Sequence, residues 1–155
     1  MFGAFLCPFF GGRPDLILQK ALLMNTPQFA GVPESARAQC VAVYTDRTGV
    51  ATPNRVELLE AAENGTKVTQ IAVKAAGVSV AGLVLVFITD TSGNNPVLFD
   101  EISYAAATPS NTLQSARNVA TYDDLQLKAG QKILVGATAI SGVVPINVIA
   151  QRGDF

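Results

Sequence analysis

From Arg37 onward one pattern repeats along the chain: a short β-prone apolar run, then a cluster of turn residues. The runs cover 39–45, 55–61, 67–75, 82–90, 96–104, 113–122, 132–139 and 144–151. Between them stand Thr52-Pro53-Asn54, Asn64-Gly65, Ala76-Gly77, Ser92 to Pro96, Thr108 to Asn111, Ala129-Gly130 and Ser141-Gly142. Each cluster contains residues that tolerate positive φ or preset a turn. The strand runs form an unbroken series with no interleaved helices. The expectation is an all-β fold, a β-sandwich or jelly roll of about eight strands.

Alternation supports half-buried strands. Ile71, Val73 and Ala75 fall on one face of their run, with Gln70 and Lys74 on the other. Residues 83–88 (LVLVFI) are apolar on both faces and suit a central strand covered on both sides, by the chain itself or by a neighbouring subunit. In 96–104 the two possible buried sets are broken by Asp100 and Glu101, which leaves the inward face open.

The start of the chain differs. Residues 1–36 read as an arm, and 37–155 as the β domain. Phe2, Phe5, Phe9 and Phe10 lie in a segment broken by Gly and Pro, followed by PDLILQKALLMN. Pro14 suits a first helical turn and Asn25 a C-terminal cap, so a short helix is expected there. Its apolar face carries Ile17, Leu18 and Leu22. TPQFAGVPES then reads as an extended linker. The aromatic start has no basic stretch and its apolar run is interrupted by Pro8 and Gly11-Gly12, so it is expected to be retained, not cleaved as a signal. Ordered aromatic ends need something to tie them down. Phe2, Phe5, Phe9, Phe10, Ile17, Leu18 and Leu22 are therefore the candidate partner contacts.

Composition bears on what such a domain can do. The chain has no histidine, which removes the commonest general base and the commonest metal ligand. It has no tryptophan and three tyrosines, thin material for a sugar platform between paired carboxylates. Glu57, Glu60, Glu63, Asp100-Glu101 and Asp123-Asp124 are read as solvated rim charges, and the oxygen-rich stretch from Asp90 to Asn95 as a hairpin connection, not a calcium loop. Asn64-Gly65-Thr66 reads as a turn. No catalytic residue, cofactor or metal is expected. With 11 basic and 12 acidic residues in mixed order, nucleic acid is not an expected partner, and no apolar run is long enough for a membrane span. Cys7 and Cys40 leave both a disulfide and free thiols open. Only 15% of residues are charged against 49% hydrophobic, so the excess apolar surface is assigned to core and to subunit contacts.

The body from residue 53 to the end resembles small proteins encoded in the structural regions of tailed-bacteriophage and prophage genomes. The matching stretches are Asn64 to Ile71 (NGTKVTQI), Val80 to Asp90 (VAGLVLVFITD), Leu98 to Ile102 (LFDEI), Thr108-Pro109-Ser110, Leu127 to Gly130 (LKAG) and Arg152 to Phe155 (RGDF). The resemblance implies a non-enzymatic virion protein made in the host cytoplasm. It points to a capsid decoration (cement) protein on the phage head surface, a homo-oligomer with a trimer favoured, bound to the major capsid protein or other virion proteins. A tail, collar or head-fibre component that binds a host receptor or glycan is the alternative.

Overall fold

The computed structural model describes residues 33 to 155, and there the chain is all β. Eight strands form: β1 (Glu34–Cys40), β2 (Val56–Glu60), β3 (Thr66–Ala75), β4 (Gly82–Ile88), β5 (Val97–Tyr104), β6 (Arg117–Leu127), β7 (Lys132–Ala137) and β8 (Ile146–Asp154). The helix expected at 14–25 and the aromatic start lie outside the described residues.

β1 pairs with β8, β2 with β7, β3 with β6 and β4 with β5, all antiparallel. In every such pair the strand numbers add to the same total. The chain thus runs as one long double ribbon turned at the β4–β5 connection. Further pairings, β3 with β8 and β4 with β7, gather the ribbon into two four-stranded sheets, β1-β8-β3-β6 and β2-β7-β4-β5. The two sheets share one core, a sandwich-like arrangement. Val68, Ile71, Val73, Val148 and Ala150 from the first meet Val84, Val86, Ile133 and Val135 from the second, and none of these nine is exposed. Fully burying a side chain of this size is worth about 1.5–3 kcal/mol relative to exposure.

Two bulges explain side-chain patterns that simple alternation does not. On β3, Val68 and Ile71 are three residues apart yet both buried. Thr69 is the extra residue in the ladder with β8, and the ladder with β6 shifts at the same point, where Tyr122 to Asp124 stand opposite Thr69. Without that insertion the second half of β3 would turn Ile71, Val73 and Ala75 to solvent. On β5 the register with β4 shifts between Val86 and Phe87, which makes Phe99 the inserted residue. Ile102 and Tyr104 consequently face the shared core while Leu98 packs on the opposite side of the sheet.

Two strands are displaced from expectation. The first was expected at 39–45 and runs Glu34–Cys40. Ala38 and Cys40 are buried and Ala36 packs against the core, whereas Val41 is 66% exposed. β1 therefore stops where its partner β8 begins, at Ile146. The sixth was expected at 113–122 and runs Arg117–Leu127, with Leu113 left 60% exposed and Leu125 and Leu127 buried.

The doubly apolar β4 is central, and its second face is covered by the chain itself. Leu85, Phe87 and Leu134 form a separate cluster on the outside of the β2-β7-β4-β5 sheet, closed by Tyr44. Tyr44 belongs to the strap 41–55 that joins β1 to β2 across this face. Its ring meets Phe87 edge-on at 5.9 Å. Gly136 makes room beneath: a Cβ there would come within 2.5 Å of the Tyr44 ring. At the far end of the strap Gly49 has φ +72° and lies on Phe87, where a Cβ would approach to 2.9 Å.

Candidate functional site

Most carboxylates that could do chemistry are engaged in holding the fold. Asp46 folds the strap: its carboxylate accepts from the Thr48 hydroxyl at 2.7 Å and from the amides of Thr48 and Ala51, both at 2.9 Å. Those bonds, led by the Thr48 hydroxyl, hold its pKa down at about 2. Asp90 does the same for the β4–β5 connection. It accepts from the amides of Ser92 and Asn94 and from the Asn95 side chain at 2.6 Å, and these bonds lower its pKa. The stretch from Asp90 to Asn95 is thus a self-closed hairpin loop, as its residues suggested. Asn64-Gly65 forms the expected turn, with Gly65 at φ +98° and its amide donating to Ala62.

Lys132 bridges Glu57 and Glu60 at 2.9 and 3.1 Å, and Arg47 pairs with Glu101. Tyr122 donates to Asp100 at 2.6 Å, and burial followed by that bond raises the tyrosine's pKa. Asp123 and Asp124 are exposed. Among the described residues, no three metal-ligating side chains converge, and no helix is long and apolar enough to cross a membrane. Cys40 is buried with its thiol pushed up to about 11, a packed core residue.

Phe2, Phe5, Phe9, Phe10, Ile17, Leu18 and Leu22, together with Cys7, lie outside the described residues. What the structure does assemble is a surface the sequence did not single out. The sandwich has two ends. At one, the loops 76–81, 105–116 and 138–145 come together with residues 41–43. Ser79 and Ala107 exchange main-chain hydrogen bonds at 2.9 and 3.1 Å, and the Ala76 amide donates to Pro145. Not one residue in these segments is Asp, Glu, Lys or Arg.

Of the nine large hydrophobic side chains exposed among the described residues, six lie at this end: Val41, Val43, Val78, Val80, Leu113 and Val143. Val143 is 96% exposed. A surface with no charge and clustered valines is poorly suited to water and well suited to another apolar protein surface. Its absent charges are visible in the sequence, but they are spread over four separated segments that only the strand pairing brings together. No protein-family model and no curated protein matches the chain.

Proposed function

We propose that this chain is a virion structural protein of a tailed phage, a decoration (cement) protein that binds the shell by protein–protein contact. The observation that carries the reading is the charge-free, valine-tipped end. Binding through such a surface needs area and shape and no catalytic group. The pairing of first strand with last, second with second-last and so inward supports a jelly-roll reading of the sandwich, an architecture found among capsid proteins and lectins. That winding, the self-closed loops and the motifs from Asn64 to Phe155 support the phage reading together. In it, the valine end rests on the shell, and Phe2, Phe5, Phe9, Phe10, Ile17, Leu18 and Leu22 add a second grip. The protein acts as a homo-oligomer, a trimer by the resemblance, on the head surface, and it is not an enzyme.

The test is binding to empty or expanded heads, measured by co-sedimentation, for three proteins: the full chain, a chain lacking residues 1–24, and the full chain carrying Val78→Asp with Val143→Asp. The reading expects loss in both altered proteins. Undiminished binding of both would overturn it. Binding to host cells or a glycan array in place of heads would favour a tail or fibre component.

A further inference from the structure

Two seams run where the edge strands of the two sheets face each other, and they are built differently. At the β5–β6 seam side chains lace the sheets together. Tyr122 bonds Asp100, and the Asn118 side-chain amide donates to the Ser103 carbonyl at 2.8 Å. The exposed edges are also capped from within: the Glu101 amide donates to the Asp100 carboxylate at 2.7 Å and the Val119 amide to the Asn118 side chain at 2.8 Å. Phe99 covers Tyr122 with ring centroids 5.6 Å apart. Such self-capping removes the edge as a template for another strand.

The β1–β2 seam is laced at one end only, where Arg152 of β8 pairs with Glu34 of β1 and donates to the Glu60 carbonyl of β2; no hydrogen bond joins β1 to β2 directly among the described residues. The free groups of β1 follow from the ladder. The Ala76 amide donates to Pro145, so β8 bonds β3 through its odd-numbered residues and β1 through its even-numbered ones. Ala36, Ala38 and Cys40 therefore bond β8. The amides and carbonyls of Ser35, Arg37 and Gln39 point away from the sheet, and no partner meets them among the described residues. Alongside lies a groove of about 590 Å³, with Arg37 and Gln39 on one wall, Val56 and Glu57 of β2 on the other, and Lys74 and Asn147 at its rim. Arg37 and Lys74 have no carboxylate within ion-pair distance in the described residues. Lys74 also stands directly opposite Arg117 in the β3–β6 ladder, an uncompensated like-charge pair.

We propose that this edge accepts an extended, carboxylate-bearing peptide strand from a partner protein. The strand continues the β1-β8-β3-β6 sheet through the main-chain groups of Ser35, Arg37 and Gln39. Its inward side chains are small and apolar, to meet Ala38 and Val56. Its outward ones are Glu or Asp, to meet Arg37 and the Lys74 ammonium that lines the same groove. A nucleic-acid backbone has no alternating N–H and C=O groups at strand spacing, so the free edge selects peptide. The inference deepens the reading as a subunit-binding protein and rests on it only for the source of the strand, a neighbouring virion subunit.

The test uses the full chain and two synthetic peptides, acetyl-Thr-Val-Glu-Val-Glu-Val-Thr-amide and its counterpart with Lys for Glu. Amide hydrogen exchange is followed residue by residue. The glutamate peptide is expected to slow exchange at Ser35, Arg37 and Gln39 while leaving Ala36 and Ala38, already bonded to β8, unchanged. The lysine peptide is expected to bind about two- to tenfold more weakly, the range of one or two exposed ion pairs. The double change Arg37→Glu with Lys74→Glu should reverse that preference. The proposal is overturned if the edge amides are already protected without peptide, if neither peptide protects them, or if both protect them equally in the unaltered chain. Binding to heads is measured separately, so its outcome and this one can fail independently.

Discussion

The two ends of the sandwich are built from loops of the same few residue types, yet only one of them carries charge. At the end formed by residues 61–65, 89–96 and 128–131, polar atoms close on one another. The Ala62 amide donates to the Thr66 hydroxyl, which donates to Asp154 at 2.6 Å. The Gln131 side chain reaches the Thr89 carbonyl, the Lys132 amide reaches the Thr89 hydroxyl, and the Lys132 ammonium holds Glu57 and Glu60. The opposite end has no charge in its three loops and leaves six large hydrophobic side chains in water. A fold able to satisfy one end so thoroughly has no structural need to leave the other apolar, and on this difference rests the proposal that the second end is a contact surface.

The comparison can be broken most severely at the strap that starts from the valine end. Tyr44 is 3% exposed and closes the outer cluster over Phe87. Tyr44→Ala is expected to cost about 3 kcal/mol in chemical denaturation, the range of large aromatic deletions. A loss under about 1 kcal/mol would mean the strap is not part of the folded unit. Next in size is Thr66→Val at the polar end. It keeps the shape but strands the Ala62 amide and the buried side of Asp154, so a loss of about 1–3 kcal/mol is expected in the same measurement. No loss would show that the polar network at that end contributes little.

A pH effect sharpens the role of Asp46. Its pKa is depressed in the fold to about 2. A depressed carboxyl stabilises fully above its ordinary value near 4 and loses that contribution as pH falls toward 2. The amides of Thr48 and Ala51, which donate to it, should lose exchange protection across that window. Asp46→Asn should show the weaker protection already at neutral pH. Protection independent of pH in the native chain would contradict the assignment. The smallest chemical effect concerns Cys40. In a Cys7→Ser background it should resist thiol reagents near neutral pH until the protein unfolds, because burial raises its pKa to about 11. Rapid labelling of the folded protein would place it nearer the surface than the core.

How much of this was legible in the sequence depends on range. The number of strands and most of their positions follow from turn residues next to apolar runs, which is local information. β1 was displaced because Ala36, Ala38 and Cys40 alternate in small side chains, a weak signal beside the more hydrophobic VAVYT that follows. That run reads as a strand, yet it carries Tyr44 into the strap, whose partners Phe87 and Gly136 are distant in sequence. The ambiguous face of β5 needed the bulge at Phe99, which no alternation rule predicts. The uncharged end proposed as a contact surface was hidden for the same reason. The absence of charge from 76–81, 105–116 and 138–145 is unremarked in any one segment and meaningful once β-pairing gathers them.

The central claim is that the uncharged end is a binding surface. Its most direct test is the chain carrying Val78→Asp with Val143→Asp, taken through two assays side by side. Both side chains are exposed, so thermal unfolding should change by no more than about 0.5 kcal/mol. Co-sedimentation with phage heads should be lost. Retained binding with unchanged stability would contradict the account.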